Sequence, residues 1–457
     1  MKLTIGNSVS RLEEYTPEQF KALRKALSYQ EKSQFMWGSK RPHFVIKNLM
    51  DKYGNFPTGL VCALEEALLK HNWKITKLND TRVRPQTTLK PSIFIGTHPD
   101  PYPEQRIAAE AALEHSRGII VAPTGCGKTR LAAEIINKLQ LPTLIVVPSL
   151  ELKNQVTQAM REFFGSYKVG PIVRGKIKSF ITVENVDQLE KLKAPPKVDC
   201  VIIDEFHRSG SKTYRKINLK LWNDVYYKLG LTATPYRSQE EEKILMESVL
   251  SKVIYRITYS TAVDSGYVVP MEAYYYDLPK RHLKFNKYAD AYKVLVVERE
   301  DRNTLISDLI QNLHSANVST LVLVKQIEHG IKLQEEAAKR GIDIPFAQGI
   351  NDDNKSIIEA FNKSHIPVLI GTVGVLGEGI DTKPCEYVIM AGGGKSKNQF
   401  VQNVGRGFRK FKNKESCKII MFRDSSNKWL LDHFNACKKY LEEEYSLLPT
   451  KLDHDSF

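Results

Sequence analysis

The chain has 457 residues, length for about two to four domains with full cores, and carries a net charge of +15 from 67 basic and 52 acidic side chains. That balance favours a polyanionic partner over an acidic small molecule. No stretch approaches the roughly 18 consecutive apolar residues of a membrane span, Met1 to Asn7 lacks a signal-peptide core, and the six scattered cysteines, with no CxxC pair, read as reduced intracellular thiols rather than a zinc site or a disulfide framework.

Residues 1–95 read as a basic N-terminal domain. They hold 16 Lys and Arg against 8 Asp and Glu, about half the net charge in about a fifth of the chain. Thr16-Pro17-Glu18-Gln19 has the form of a helix start, with Thr16 as cap, Pro17 at the first position and Gln19 three residues on. Pro57 to Leu69 reads as a second helix. Between them, Phe35-Met36-Trp37-Gly38-Ser39-Lys40-Arg41-Pro42-His43-Phe44 interleaves rings and cations. That mix suits bases stacked on Trp37 while Lys40 and Arg41 meet phosphates. It equally suits core aromatics with solvated charges beside them. Thr87 to Pro91 reads as a linker. The chemistry-bearing segments begin only at Gln105, so they could form without this domain; alternatively, it packs on the layer that follows as structural support.

Residues 96–270 read as a nucleotide-binding layer. Gln105 leads an amphipathic helix, Ile107 to Leu113, and its amide can pair with an adenine edge or simply cap the helix. Gly118 to Val121 is a short buried strand, followed by Ala122-Pro123-Thr124-Gly125-Cys126-Gly127-Lys128-Thr129 and then apolar residues at helical spacing. Strand, Gly-rich turn, Lys-Thr and helix form the context of a phosphate-binding loop. Backbone N–H groups and the helix dipole converge there on a phosphate. Lys128 would reach the β/γ-phosphates and Thr129 would hold Mg²⁺. The strict pattern has Gly where Ala122 stands. Thr143 to Ser149 is another buried strand. Asp199 to His207 then delivers Asp204, Glu205 and His207 at the end of an apolar strand, the edge where parallel sheets bind ligands. Asp204 suits Mg²⁺, and Glu205 suits orienting or deprotonating a water. Leu229 to Pro235 brings two hydroxyls, Thr232 and Thr234, to the same edge.

Residues 271–445 read as a second parallel layer, with 446–457 a tail. Strands are expected at Ser319 to Val324 and Val368 to Thr372, with a helix from Gly330 to Ala338. Gln402-Asn403-Val404-Gly405-Arg406-Gly407-Phe408-Arg409 places Arg406 and Arg409 three apart, on one face if helical. Two such guanidinium groups suit either a γ-phosphate or the backbone of nucleic acid.

Taken together, these segments resemble superfamily 2 helicases. Residues 122–129, Asp204-Glu205-Phe206-His207 and Thr232-Ala233-Thr234-Pro235 resemble motifs I, II and III. Gln105 resembles the adenine-reading glutamine, and Val147-Pro148-Ser149 and Ile181 to Asn185 resemble the strand-holding motifs Ia and Ib. Gly379-Ile380-Asp381 resembles motif V, and Gln402 to Arg409 resembles motif VI, the arginine-finger segment. Ala122 is tolerated in the family. Asn403 stands where many members carry Arg, which leaves the finger role to Arg406 and Arg409. The likeness covers roughly residues 100 to 410. Phe56 to Leu60, Asp80-Thr81-Arg82 and Glu300 to Asn303 are further similar to UvsW-like DNA helicases of tailed phages, a group linked to fork reversal and branch migration.

The resemblance implies two tandem RecA-like parallel-sheet lobes with an ATP cleft between them, preceded by a small basic α+β domain. ATP and Mg²⁺ are the implied cofactors. Thr124, Gly125, Cys126, Gly127, Lys128, Thr129, Gln105, Gly379 and Asp381 would bind nucleotide, with Thr129 and Asp204 on the metal. Glu205, Asp204, Gln402, Arg406 and Arg409 would be catalytic. The implied partner is DNA, forked or branched and held mainly by its phosphates, with residues 1–95 as a DNA-binding domain that directs the protein to branched substrates, in a bacterial or phage-infected cytoplasm. Alternative readings are a DExH RNA helicase and a non-unwinding duplex translocase of a restriction or remodelling complex.

Overall fold

The apolar runs expected as buried strands are strands in the computed structural model, which describes residues 1–32, 44–93, 103–194, 197–234, 240–349, 353–376, 385–411 and 414–453. Strands β1 (Lys2–Ile5) and β2 (Val9–Glu13) pair antiparallel, and β3 (Ser28–Lys32) and β4 (Phe44–Asn48) form a separate hairpin. β5 (Asn55–Pro57) and β6 (Lys77–Asp80) complete a four-stranded sheet ordered β5-β2-β1-β6, in which β6 runs parallel to β1. The helix Pro17–Ala26 opens with the anticipated capping box: Thr16 N–H donates to Gln19 Oε1 at 2.9 Å and Gln19 N–H to Thr16 Oγ1 at 3.2 Å. The second helix, Val61–Lys70, follows a tight turn at Thr58–Leu60 and packs Leu64 and Leu68 against Leu3, Leu12 and Phe56. Of the aromatic–basic stretch, Phe44 is 50% exposed at the start of β4, so it is no core residue. Trp37, Lys40 and Arg41 lie outside the described residues.

The next layer is built from β7 (Arg117–Val121), β8 (Thr143–Val147), a short hairpin of β9 (Ile172–Val173) and β10 (Lys176–Ile177), then β11 (Ile181–Asn185), β12 (Cys200–Ile203), β13 (Tyr227–Thr232) and β14 (Val253–Arg256). Apart from the hairpin, these strands form one all-parallel sheet ordered β11-β8-β12-β13-β7-β14. β7, β8, β11, β12 and β13 are buried at every position, as a parallel sheet covered on both faces requires. Alternation splits them between two cores. Ile120, Ile145, Ile202 and Leu231 face the helices Pro103–His115 and Lys128–Leu139, while Val121, Val146 and Ile203 face Lys212–Leu221 and Glu240–Val249.

The third layer holds β15 (Met271–Asp277), β16 (Thr320–Val324), β17 (Phe346–Ala347), β18 (Val368–Thr372), β19 (Tyr387–Ile389), β20 (Cys417–Arg423) and β21 (Thr450–Leu452), again all parallel, ordered β17-β18-β16-β19-β20-β15-β21. Arg299 is fully buried beneath this sheet, with Nε 2.8 Å from Asp301 and Nη1 2.8 Å from Asp424. Arg302 is buried beside it and donates to the Ala391 carbonyl. The Glu300 to Asn303 segment is therefore structural in this unit. Contacts divide the chain into two compact units, Met1–Ala122 with Gly127–Ile257, and Pro123–Cys126 with Thr258–Phe457. Among the described residues no helix is long and apolar enough to cross a membrane, and all six cysteines are free thiols.

The N-terminal domain is seated on the β7–β14 layer, the arrangement expected of a structural support. Gly59 presses on the end of the helix Glu240–Val249 so closely that a Cβ there would collide with the Glu247 and Leu250 carbonyls. Ile244 of that helix packs into the N-terminal core. In β13, the fully buried Lys228 donates to Asn7 O at 3.2 Å, Ser8 Oγ at 2.6 Å and Asn218 Oδ1 at 3.1 Å, three acceptors for three N–H groups. Arg117 of β7 also donates to the Asn7 carbonyl. Burial, with Arg117 beside it, holds the Lys228 ammonium well below the usual lysine range. The β1–β2 loop thus supplies acceptors to two basic side chains buried in the sheet. Ser8→Ala should therefore destabilise the protein by about 1–3 kcal/mol in urea unfolding, and a truncation starting at residue 82 should be insoluble. A soluble truncation melting at the full-length temperature would contradict this account of the interface.

Candidate nucleotide-binding site

The site grows from three strand ends. β7, β13 and β12 are neighbours in the sheet, and their registers pair Val121 with Thr232 and Gly230 with Ile203. Their C-terminal ends therefore deliver the 122–129 turn, Thr232 and Asp204-Glu205 to one edge. Ala122 N–H donates to Thr232 O at 2.9 Å, which ties the turn to β13 before the chain leaves the sheet.

In the turn, Gly125 and Gly127 have φ of +92° and +72°. Gly127 caps the helix Lys128–Leu139 with no side-chain hydrogen bond, so the first-turn N–H groups are left for an anion. The helices after β8 and β11 are closed differently. Ser149 Oγ accepts from Leu152 N–H at 3.2 Å and Asn185 Oδ1 from Gln188 N–H at 3.0 Å. Gln105 is fully buried, with its Nε2 3.5 Å from where a Gly127 Cβ would stand. Gln105, Gly127, Lys128 and Thr129 therefore share one cradle, and Thr124, Gly125 and Cys126 form the turn leading into it. Its glycines and uncapped helix start fit a phosphate chain.

At the rim of the cradle, Lys128 Nζ lies 3.9 Å from Glu205 Oε1, and His207 Nδ1 lies 3.2 Å from Glu205 Oε2 and 3.3 Å from Thr232 Oγ1. The Thr232 hydroxyl is fixed by Thr234, donating to its carbonyl at 2.9 Å and accepting from its N–H at 3.2 Å. Glu205 has φ +48°, ψ +49°, a left-handed conformation costing a non-glycine residue about 1–2 kcal/mol. Strain of this kind gathers at functional sites. Burial works against the Glu205 charge, but Lys128 and His207 more than offset it and lower its pKa. Burial and the Glu205 charge beside it raise that of Asp204. The Thr129 hydroxyl and Asp204 carboxylate are hard oxygen donors. Among the described residues no cluster of three or more His, Cys, Asp or Glu side chains could hold a metal alone. Two protein oxygens completed by phosphate and water fit Mg²⁺.

Gln402, Arg406 and Arg409 belong to the second unit. The helix Lys397–Gly405 carries Gln402 and stops before Arg409, so the two arginines are not on one helical face. Residues 406–408 turn, and Arg409 bridges antiparallel to Val268 while Val269 N–H donates to Phe408 O at 2.8 Å. Gly405 and Gly407 make the helix easy to end there. Arg406 is 4% exposed and Arg409 is half-buried. Gly379 and Asp381 lie outside the described residues. His207, to which the sequence assigns no role, joins the site because it stands two residues beyond Glu205 after the same strand.

Residues 98–237 match the family described as type III restriction enzyme, res subunit, and residues 301–411 match the helicase conserved C-terminal domain. A putative helicase 22 of Sulfolobus islandicus filamentous virus is 28% identical over 337 residues, covering 66% of this chain and 60% of its own length. The DNA 3'-5' translocase XPB2 of Sulfurisphaera tokodaii is 27% identical over 361 residues, 69% of this chain and 80% of its own. The chain thus spans about 60% of the viral relative and more of the archaeal one. Among solved structures, a fragment of a putative HsdR subunit of a type I restriction enzyme from Vibrio vulnificus superposes with a TM-score of 0.58 at 18% identity, over 77% of this chain and 68% of its own. S. cerevisiae Dbp5 bound to RNA and ADP BeF3 gives 0.54 at 17%, over 77% and 90%. At such identities the likeness is one of fold. T4 UvsW aligns over 99% of this chain and all of its own, at a TM-score of 0.43 and 17% identity, a superposition too loose to bear on function.

Gly127→Ala should force a methyl toward Gln105 in a left-handed conformation, at about 1–2 kcal/mol. Titration with a fluorescent adenine nucleotide should show weakened binding. Wild-type affinity in this variant would mean that the turn does not form the cradle.

Proposed function

The two domains make this chain a superfamily 2 helicase, and from that premise we propose that it is an ATP-driven DNA helicase or translocase that unwinds or remodels branched DNA such as forks, Holliday junctions, D-loops or R-loops. The observation that carries the ATPase reading is the convergence of Lys128, Glu205, His207 and Thr232 on one sheet edge beside an uncapped helix start. In this reading Gln105 reads the adenine edge, and Lys128 and the 124–129 turn hold the phosphates. Glu205 orients or deprotonates the attacking water, held in place by His207. Mg²⁺ on Thr129 and Asp204 would neutralise phosphate charge. Arg406 and Arg409 serve as arginine fingers with Gln402 beside them, and Gly379 and Asp381 couple nucleotide to strand binding.

DNA as the partner is supported by the +15 charge and by relatives named for DNA 3'-5' translocation and helicase activity. The branched substrate rests on the sequence likeness to UvsW-like proteins. Translocation on duplex without unwinding is the second reading, favoured by the match of residues 98–237 to a restriction-enzyme subunit family.

ATPase stimulation by forks, single strands, closed duplex and RNA separates the readings. The proposal expects the largest stimulation by forked DNA, accompanied by strand separation. Largest stimulation by RNA, or by closed duplex with no strands separated, would overturn it. Arg409→Ala should lower turnover by about 10³–10⁵ with nucleotide affinity little changed. Intact turnover together with weaker, less salt-sensitive DNA binding would make Arg409 a backbone contact instead.

A further inference from the structure

The first unit carries a basic groove that none of the helicase motifs uses. Residues 165–180 hold Lys168, Arg174, Lys176 and Lys178 and no acidic residue, and residues 191–197 hold Lys191, Lys193 and Lys197, again with none. The two segments meet. Arg174, Lys176, Lys191, Lys193 and Lys197 line one groove of about 630 Å³, each of them exposed. Its floor is apolar: Ile177 and Leu192 pack, with Ile172, against the core cluster to which Val186 and Leu189 belong. The cations are thereby anchored to the helix Val186–Glu190, which begins directly at the end of β11, the segment that resembles motif Ib.

Three features make this more than a solvated charge run. First, the exposed Lys216 nearby has Glu190 as an acidic partner, whereas among the described residues no carboxylate pairs with the five in the groove. Like charges gathered without a counter-ion repel, and a polyanion relieves that repulsion. Second, the hairpin is preorganised. β9 and β10 are joined by two residues, Arg174 and Gly175, with φ of +50° and +75°, the pattern of a tight type I′ turn. A left-handed arginine at its tip is held at some cost. Third, among the described residues no aromatic ring lines the groove, so none of them stacks on an unpaired base there. What remains is spaced positive charge over an aliphatic floor, which meets phosphates and reads no sequence.

We propose that this groove is a second nucleic-acid contact, which holds the phosphate backbone of a duplex arm beside the β11 end of the first unit. The proposal rests on the DNA-motor reading above and adds where the double-stranded part of a fork is held.

The test measures binding of full-length protein to a fork with one duplex arm, and to a single strand of equal length, across a salt series. Arg174→Ala, Lys176→Ala, Lys191→Ala and Lys193→Ala are combined, with the melting temperature as a check on folding and Lys191→Glu/Lys193→Glu as a second variant. Removing one cation from a duplex phosphate lowers the log–log salt slope by roughly 0.9, so the fourfold variant should show a slope about two to four smaller on the fork while single-strand binding changes little. An unchanged slope on the fork would overturn the groove proposal, and so would an equal reduction on both substrates. Binding of an acidic protein at the groove in place of DNA would appear as that unchanged slope. Wild-type protein that binds neither substrate at low salt would overturn the motor reading itself, and with it this one.

Discussion

One carboxylate organises the candidate site. Glu205 lies between Lys128 at 3.9 Å, which follows β7, and His207 at 3.2 Å, which like Glu205 follows β12. The arrangement exists only because β12, β13 and β7 are adjacent and in register, so that their ends emerge together. A slip of one residue in any of them would turn Thr232 or Asp204 to the opposite face. The buried runs on both sides of the sheet are what prevent the slip. Core packing and chemistry are therefore one constraint in this unit, and the left-handed backbone at Glu205 is tolerated because the surrounding sheet fixes it.

The same sheet explains the N-terminal domain. Lys228 and Arg117 sit in the two strands β13 and β7 that also deliver Thr232 and the glycine-rich 122–129 turn. Both donate to the Asn7 carbonyl and Lys228 also to Ser8 Oγ, so the loop between β1 and β2 becomes part of the first unit's interior. A basic N-terminal domain in this position is first a structural support. Any role it has in choosing DNA substrates must be exercised from a fixed seat on the motor layer.

Much of this was legible in the sequence, for a physical reason. Short apolar runs ending in Gly-Lys-Thr, Asp-Glu or Thr-Ala-Thr combine a buried strand with polar chemistry at its end, and few structures other than a parallel sheet satisfy both demands. The capping box at Thr16 was legible because it is local. What escaped depends on long-range contacts. Lys228 stands in the apolar strand Tyr227–Thr232 as a visible anomaly, but its partners Asn7 and Ser8 lie over 200 residues away. The path of Arg409 was missed because helical spacing continues through Gly405 and Gly407, whereas the chain turns there to pair with Val268 and Val269. The groove at Arg174 to Lys197 was invisible as a unit because two basic segments form it only once the hairpin folds onto the helix after β11.

The central claim is that Glu205 acts on water while Lys128 and the turn bind phosphate, and one variant addresses both halves. Glu205→Gln keeps the size and hydrogen-bonding reach of the side chain but removes its negative charge and its ability to take a proton. Nucleotide affinity and single-turnover hydrolysis should be measured on the same preparation. The account predicts ATP binding close to wild type with hydrolysis reduced by at least about 10²-fold, in the range of a lost general base. Hydrolysis near the wild-type rate would contradict it, and would move the catalytic role away from the three strand ends.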